Sequence, residues 1–377
     1  MSRDTLSKMS WDDTTPRRGA KAPPRRAIHQ RLTAKRPNSS KLQNNVRAFF
    51  TLVLLAVLAA GGWLAWALLL PVTPDGQKVI LLRPGFSTWR IAHELQSVGV
   101  IRSADAFVLW QYLHRGHSLK AGEYLFEKTA DARQIHDRLV RGDVYYREVV
   151  IPEGYTVFDI ARAVQETGLG PSQDFMNAAS SDTALIADLA PDAKSLEGYL
   201  FPATYEFTRT QSADDMVAAM VKEFRRVARE IGLTPVSAQE NDVSRIVTMA
   251  SIIEKETAVP DERPIVASVY YNRMAKKIAL QADPSVIYAE LLQGSYQGAL
   301  HHADMTDDSP YNTYKYPGLP PGPIGNPGKS SLEAAMHPAQ TDYFYFVADG
   351  NGHHRFARDL EEHNRNVAAY RRAMRAK

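Results

Sequence analysis

The feature that most constrains this chain is an uninterrupted apolar segment near its N-terminus. Residues 48–71, AFFTLVLLAVLAAGGWLAWALLLP, contain no charged side chain. At about 1.5 Å per residue, a helix of this length crosses a hydrocarbon core of roughly 30 Å. The sequence therefore predicts one transmembrane helix over residues 48–70.

Charge is distributed unevenly on the two sides of this segment. Residues 1–47 hold twelve Lys and Arg against three Asp, a balance of +9, and because the whole chain carries +3, the remainder carries −6. Basic residues that flank a transmembrane helix usually stay on the cytoplasmic side. We therefore expect a cytoplasmic tail over 1–47 and an extracytoplasmic remainder, periplasmic where an outer membrane exists. A cleaved signal peptide is the alternative, but the basic leader is too long for one. The tail has too few apolar residues to fold and is predicted to be disordered, and the negative remainder argues against a nucleic-acid partner.

A short linker, residues 71–77, leads into a pattern that occurs twice. The stretch RPGFSTWRIAHEL (83–95) aligns with PEGYTVFDIARAV (152–164). In both copies a β-rich run precedes a glycine turn, a Ser or Thr suited to capping, and an apolar helical face. We predict helices over 89–98 and 104–113 in the first copy. Each copy is either a carbohydrate-binding unit or scaffold without a ligand.

Two carboxylates lie two residues apart in ASIIEKETAVP (250–260), within a helix predicted to end before Pro260. At about 100° per residue, Glu254 shares one apolar stripe with Val247 and Ala250, whereas Glu256 projects to the opposite, solvent side. Burial would raise the pKa of Glu254 and allow it to donate a proton. The spacing equally allows a structural glutamate paired with Arg or Lys. The candidate N-caps of this helix are Asn241 and Asp242.

Further along, "DYFYFVADGNGHHRFA" predicts two strands about a turn at residues 349–352, and the chain ends in a basic helix. Taken together, these patterns predict an α+β fold made of small units.

Several motifs, in order, resemble those of the YceG-like family, the endolytic murein transglycosylases. They are LEGYLFPATYEF (196–207), ASIIEKET (250–257), LQADPSVIYA (280–289), SPYNTY (309–314), GLPPGPIGNPG (318–328), YFVADGNGHHRFA (345–357) and a short EHN (362–364). The chain departs from the family at residues 203–205, where an Asp is commoner before the Thr, and in its long leader.

The resemblance implies a LysM-like unit over 78–147 and a YceG-like α+β catalytic domain over 148–377. It implies a membrane-anchored lytic transglycosylase that cleaves the β-1,4 bond between N-acetylmuramic acid and N-acetylglucosamine inside glycan strands, leaving 1,6-anhydro ends. The first Glu of the E-K-E motif, Glu254, would be its general acid and base. Peptidoglycan strands, the membrane and peptidoglycan synthases are the implied partners.

Six polar residues in these motifs are candidate substrate contacts: Glu197, Gln281, Asp283, Asn312, Thr313 and Tyr314. Their amide, carboxyl and phenol groups suit a sugar cleft. Each is equally plausible as a structural residue, and Asp283 in particular precedes Pro284 as an N-cap would.

No metal or cofactor is expected. The chain has no cysteine, its paired histidines His301/His302 and His353/His354 are adjacent and point apart on a strand, and no H-E-x-x-H motif is present. Two rival functions stay open. A hydrolytic muramidase would use the same Glu254 with a second carboxylate and a water, and a non-catalytic scaffold would only bind peptidoglycan.

Overall fold

The computed structural model describes residues 39–114, 116–235 and 243–376, so most of the predicted tail and both capping candidates, Asn241 and Asp242, lie outside the described residues. The chain divides into two compact units, Met1–Gly62 and Trp63–Lys377. Within the described ranges the α-helices are α1 (Ser39–Leu69), α2 (Thr88–Ser97), α3 (Ala104–Leu113), α4 (Ala132–Arg141), α5 (Val157–Glu166), α6 (Ser172–Ser181), α7 (Ala213–Glu230), α8 (Val243–Glu256), α9 (Arg263–Ala275), α10 (Asp283–Gln293), α11 (Lys329–Met336) and α12 (Leu360–Ala376). The strands are β1 (Lys78–Leu82), β2 (Gly122–Phe126), β3 (Arg147–Val150), β4 (Thr204–Phe207), β5 (Tyr345–Ala348) and β6 (His354–Ala357).

The apolar segment forms α1, which is long and apolar enough over Lys41–Leu69 to cross a membrane. The helix starts at Ser39 instead of residue 48. In the second unit, Ala67 and Leu68 are buried in the same hydrophobic core as Ile80 and Phe107. These two side chains contact protein and are not available to lipid. The last turn of α1 therefore packs within the folded unit, while the helix ends at Leu69, one residue from the predicted bound.

The predicted linker, residues 71–77, is held in place by hydrogen bonds. Arg102 donates to the carbonyl of Pro71 at 3.1 Å. Val72 and Ala130 exchange backbone hydrogen bonds of 2.8 and 3.1 Å, and the hydroxyls of Thr73 and Thr129 are 2.8 Å apart. Because backbone groups on both sides are paired, this connection is an ordered part of the fold.

The sequence repeat appears as two units with the same order of elements, strand, helix, helix, strand. β1 pairs antiparallel with β2 around α2 and α3, and β3 pairs antiparallel with β4 around α5 and α6. Gly85 and Gly154 have φ of +85° and +78°, a conformation that favours glycine, and they stand at equivalent turns. Ser87 and Thr156 then cap α2 and α5. The prediction of helix 104–113 is correct, and the prediction of 89–98 is shifted by one residue.

The larger core forms around α8. Every residue from Ile246 to Ile253 is buried, and the helix packs against α9, α10 and α11. A helix that is apolar on all sides belongs in the interior of a domain. Between Ile246 and Ile253 no face of α8 meets solvent, whereas Arg245 and Lys255 near its two ends are exposed.

The predicted strand pair near the C-terminus is present as β5 and β6, joined by the turn at residues 349–352. Glu262 fastens this hairpin to the start of α9, because its carboxylate accepts hydrogen bonds from His353 Nδ1 at 3.1 Å and His354 Nδ1 at 2.7 Å. The C-terminal helix α12 packs on both strands. Helices and antiparallel strand pairs together confirm the α+β mixture.

Candidate active site

Glu254 lies in a closed, fully paired environment. Its side chain is 5% exposed and accepts from Arg263 Nη2 at 2.8 Å. The second carboxylate oxygen accepts from the N–H of Gly328 at 2.9 Å. Burial raises the pKa of Glu254 above its ordinary value, while the Gly328 N–H and the Arg263 charge act in the opposite direction. A glutamate paired with an arginine is the arrangement that the structural alternative required, and the pairing leaves the catalytic prediction for Glu254 untested.

Glycine turns surround this ion pair closely. A Cβ on Gly325 would lie 2.8 Å from the carbonyl oxygen of Gly154, and one on Gly328 would lie 1.9 Å from Glu153 Oε1. Arg263 also reaches Glu153, at 3.4 Å. The turn of the second repeat and the Pro/Gly stretch therefore meet at Glu254, and we call this region the Glu254 junction.

Glu256, the last residue of α8, lies in a cleft of about 410 Å³. It is partly buried, contrary to the expectation of a surface position, and accepts from the Tyr270 hydroxyl at 2.7 Å. Burial raises the pKa of Glu256 to about 7, with the nearby Asp283 charge adding to the rise and the Tyr270 hydrogen bond opposing it. A carboxyl group with this pKa can donate a proton near neutral pH and can later accept one.

Three of the predicted substrate contacts, Gln281, Asp283 and Tyr314, line the same cleft. The Tyr314 hydroxyl donates to Asp283. Gln281 is held at φ +57°, rare for a side-chain-bearing residue, by its N–H donating to Thr313 at 3.1 Å. These three residues therefore contribute polar groups to the space beside Glu256.

Asp283 is the first residue of α10, whose N-cap is Ala282 without a side-chain hydrogen bond. The interpretation of Asp283 as the N-cap is therefore wrong by one position. Its carboxylate is exposed and pairs with Tyr314 across the cleft wall, which keeps it available as a polar contact.

Three further cleft residues were missed in the sequence: Arg273, Tyr345 and His363. Arg273 donates to the Leu280 carbonyl at 2.7 Å and to Gln281 Oε1 at 2.9 Å. The rings of Tyr345 and His363 stack with centroids 5.2 Å apart. Burial, together with the Arg273 charge, lowers the pKa of His363. The cleft thus brings together α8, α9, α10, the hairpin and α12.

Glu197 lies elsewhere, deep in the core. It accepts from the Val157 N–H at 3.0 Å and from Asn326 Nδ2 at 2.9 Å, at the start of α5. Burial raises the pKa of Glu197 to about 7, against the Val157 hydrogen bond. It ties the second repeat to the Pro/Gly stretch and does not line the cleft.

Asn312 and Thr313 are also buried, and their side chains organise the backbone behind the cleft. Asn312 Nδ2 donates to the carbonyls of Met305 at 3.1 Å and Asp307 at 2.9 Å. Thr313 Oγ1 accepts from the Ala282 N–H at 2.9 Å. Both support the residues that do line the cleft, namely Tyr314 and Asp283.

Among the residues that the structure describes, no group of three or more His, Asp or Glu side chains is arranged to hold a metal ion. His353 and His354 are instead engaged by Glu262.

In this cleft an acid with a raised pKa lies beside phenols, an amide and a guanidinium, groups that can exchange protons and hydrogen bonds with a bound polar molecule. The chain belongs to the YceG-like family, whose model matches residues 80–369.

The chain is similar to proteins named endolytic murein transglycosylase. It is 36% identical over 323 residues to the one from Bacillus subtilis (strain 168), which covers 81% of this chain and 88% of the relative. For the relative from Streptococcus pneumoniae (strain ATCC BAA-255 / R6), the identity is 30% over 367 residues, covering 87% of this chain and 66% of the relative. A crystal structure of a YceG-like protein from Listeria monocytogenes aligns with a TM-score of 0.52 and 35% identity, covering 77% of this chain and 99% of that one.

Proposed function

We propose that this protein is a membrane-anchored endolytic transglycosylase that cleaves peptidoglycan strands. Family membership and the names of its relatives support the reaction class. The observation that carries the proposal is the cleft in which Glu256 lies together with Gln281, Asp283 and Tyr314. A cleft lined by an acid and several hydrogen-bonding side chains suits a hydroxyl-rich glycan.

We assign the general acid and base to Glu256, although the sequence prediction gave this role to Glu254. Glu254 is engaged by Arg263 and Gly328 and is not among the residues that line the cleft. Glu256 accepts one hydrogen bond from Tyr270 and faces the space a substrate would enter. A group that transfers protons must reach the reacting atoms, so geometry favours Glu256.

In the proposed reaction, protonated Glu256 donates to the glycosidic oxygen between N-acetylmuramic acid and N-acetylglucosamine, and positive charge develops at the anomeric carbon. The ionised Glu256 then removes the proton from the muramic acid 6-hydroxyl, which attacks the anomeric carbon. The β-1,4 bond breaks, a 1,6-anhydro ring forms, and no water is consumed. Because the nucleophile belongs to the substrate, correct positioning supplies much of the rate.

The remaining cleft residues receive positioning roles in this proposal. Tyr270 orients the Glu256 carboxyl through its 2.7 Å hydrogen bond. Gln281, Asp283 and Tyr314 contact sugar hydroxyls, and the ring of Tyr345, packed between His363 and Arg273, fixes the position of Arg273. Glu197, Asn312 and Thr313 act indirectly by holding the backbone.

The proposed setting is the outer face of the cytoplasmic membrane. α1 would be the single span, with residues 1–47 as a disordered cytoplasmic tail and the catalytic domain outside, as the positive N-terminal flank favours. The units proposed along the chain are the LysM-like unit over 78–147 and the YceG-like domain over 148–377. Peptidoglycan synthases at the same membrane are the proposed neighbours.

One observation favours a second candidate, a hydrolytic muramidase. Asp283 shares the cleft with Glu256, so a second carboxylate is present that could activate a water molecule. Both candidates require Glu256, and they differ in the product that they release.

The test is mass spectrometry of fragments released from peptidoglycan by the full-length protein in detergent, beside the Glu256→Gln and Glu254→Gln variants. Products ending in 1,6-anhydromuramic acid, lost with Glu256→Gln and kept by folded Glu254→Gln, would support the proposal. Reducing ends would favour the muramidase. Loss of cleavage only in Glu254→Gln would overturn the assignment to Glu256. Glycan binding without any release by the unaltered protein would indicate a scaffold.

A further inference from the structure

The cleft contains a buried positive charge that has no counter-ion among the residues that the structure describes. Arg273 is 8% exposed. Two of its N–H groups donate to neutral oxygens, the Leu280 carbonyl and Gln281 Oε1, and its Nε–H has no partner among the described residues. Among those described residues, no carboxylate oxygen lies within 4.0 Å of the Arg273 guanidinium. Burial accordingly lowers the pKa of Arg273.

Arg263 provides a comparison within the same domain. It is equally buried, but it pairs with Glu254 at 2.8 Å and Glu153 at 3.4 Å. Buried charges in proteins are normally paired in this way, because an isolated buried charge loses its hydration free energy and gains no interaction that offsets the loss. The fold therefore neutralises the arginine at the Glu254 junction and leaves the one in the cleft uncompensated.

The acidic groups that share the cleft with Arg273 are engaged by tyrosines. Glu256 accepts from Tyr270, and Asp283 accepts from Tyr314. The guanidinium carbon lies 5.3 Å from the centre of the Tyr345 ring, so an aromatic face covers one side of Arg273. The cleft thus offers a cation held in place by neutral groups, and this arrangement is suited to an incoming anion.

We propose that Arg273 binds a carboxylate of the glycan substrate and so determines which strands are cleaved. The proposal rests on the proposed function. An arginine has five N–H groups, of which two are engaged here, and its planar fork matches a carboxylate. In peptidoglycan, carboxylates occur on the peptides attached to muramic acid and, where the peptide has been removed, on the lactyl ether. Both sources share the chemistry that Arg273 recognises.

The test compares three substrates with the full-length protein in detergent. The first is peptide-bearing strands with free carboxylates, the second is the same strands with those carboxylates converted to amides, and the third is strands freed of peptides by an amidase. If Arg273 binds a peptide carboxylate, amidation should lower the kcat/KM of the unaltered protein by roughly tenfold or more, because a buried charge loses its partner. If it binds the lactyl carboxylate, which is free only on the third substrate, that substrate should exceed the peptide-bearing strands in kcat/KM by a similar factor. With Arg273→Gln, whichever of these two ratios of kcat/KM is large should fall close to one, and with Arg273→Lys it should be intermediate.

Arg226→Gln is the matched control, because it removes an exposed arginine on α7 and should keep the discrimination of the unaltered protein. If Arg273→Gln proves unstable, binding of the three strands to Arg273→Lys in the Glu256→Gln background gives the same comparison without turnover. An unchanged preference for free carboxylates in Arg273→Gln would overturn the inference. Failure of the proposed function has different signatures: the unaltered protein would release no fragments, or Glu256→Gln would still release them.

Discussion

Glu254 and Glu256 are two residues apart on one helix, yet they lie in opposite kinds of environment. At the Glu254 junction, an arginine and a backbone N–H satisfy the carboxylate, and glycines close the space around it. In the cleft, one phenol contacts Glu256, and its pKa rises to about 7. Burial of a carboxylate and its access to a cleft are therefore separate properties, although the sequence prediction assigned both to Glu254. The proposed function depends on this difference: the buried carboxylate of Glu254 is paired with an arginine, whereas that of Glu256 adjoins a polar cleft and would exchange protons there.

The sharpest test of this contrast is Glu256→Gln. We expect the rate of strand cleavage to fall by about 10²–10⁴-fold, because an amide can neither donate nor accept the proton. Fragment release per folded molecule is the measurement. Residual activity within a few-fold of the unaltered protein would remove Glu256 from the chemistry.

The same substitution should affect stability in a pH-dependent way. A carboxyl group whose pKa rises from 4.5 to about 7 on folding stabilises the protein fully below pH 4.5, and this contribution is lost as the pH rises through 7. Glu256→Gln should therefore raise the free energy of unfolding at pH 8, by about 1–3 kcal/mol, and change it little near pH 4. Urea unfolding at both pH values measures this, and a loss of stability at pH 8 would contradict it.

Glu254→Gln should have the opposite profile, with a large effect on stability and a small one on chemistry. It leaves Arg263 buried with a weakened partner, which costs about 3–5 kcal/mol of unfolding free energy. Cleavage per folded molecule should stay within a few-fold of the unaltered protein. Replacing Glu254 and Arg263 together by Met should recover part of the lost stability. If the double variant loses as much unfolding free energy as the two single variants added together, the ion pair is not supported.

Gly325→Ala tests how tightly the Glu254 junction is closed. The new Cβ would lie 2.8 Å from the Gly154 carbonyl oxygen, so the backbone must shift, at a cost of about 1–3 kcal/mol. Gly170→Ala is the control, since nothing lies within 4 Å of the added Cβ. Thermal unfolding of the two variants should differ, and equal melting temperatures would mean that the junction is looser than the structure indicates.

The smallest effect is expected from Tyr270→Phe. The rate should decline as the pH rises above about 7, where Glu256 loses its proton. The hydrogen bond from Tyr270 lowers the pKa of Glu256, so removing it should move this decline to higher pH. The pH profile of kcat/KM measures the shift, and Tyr271→Phe, which loses a hydroxyl bonded to the Ala335 carbonyl, is the control. A shift to lower pH would contradict the assignment.

Local patterns in the sequence predicted much of the fold. α3, the turn of the β5–β6 hairpin and the repeated strand, turn and capped helix follow from residues that are near one another in the chain. The position of Glu256 could not be predicted this way, because one apolar stripe was assumed to imply one solvent face. The run from Ile246 to Ile253 carries apolar residues on all sides, and that signal could have revealed a central helix.

The cleft was only partly predictable, for a different physical reason. Gln281, Asp283 and Tyr314 lie in motifs that reach the cleft, but Glu197 and Asn312 lie in motifs too, and their buried amides and carboxylates serve the backbone. Membership of a motif therefore does not tell whether a polar residue lines the cleft or bonds the backbone. That depends on which distant residues become its hydrogen-bond partners, and spacing along the sequence does not show this.

The duplicated unit has a consequence for how freely each copy can change. No heavy atom lies within 4 Å of a Cβ built on Gly85, whereas the equivalent turn at Gly154 adjoins Glu254, Lys255 and Gly325. A substitution in the first turn is resisted only by the local backbone, since Gly85 has φ +85°. A substitution at Gly154 must also fit against the side chains and backbone of the Glu254 junction. The two copies therefore share one backbone design but differ in how far the effect of a change would spread.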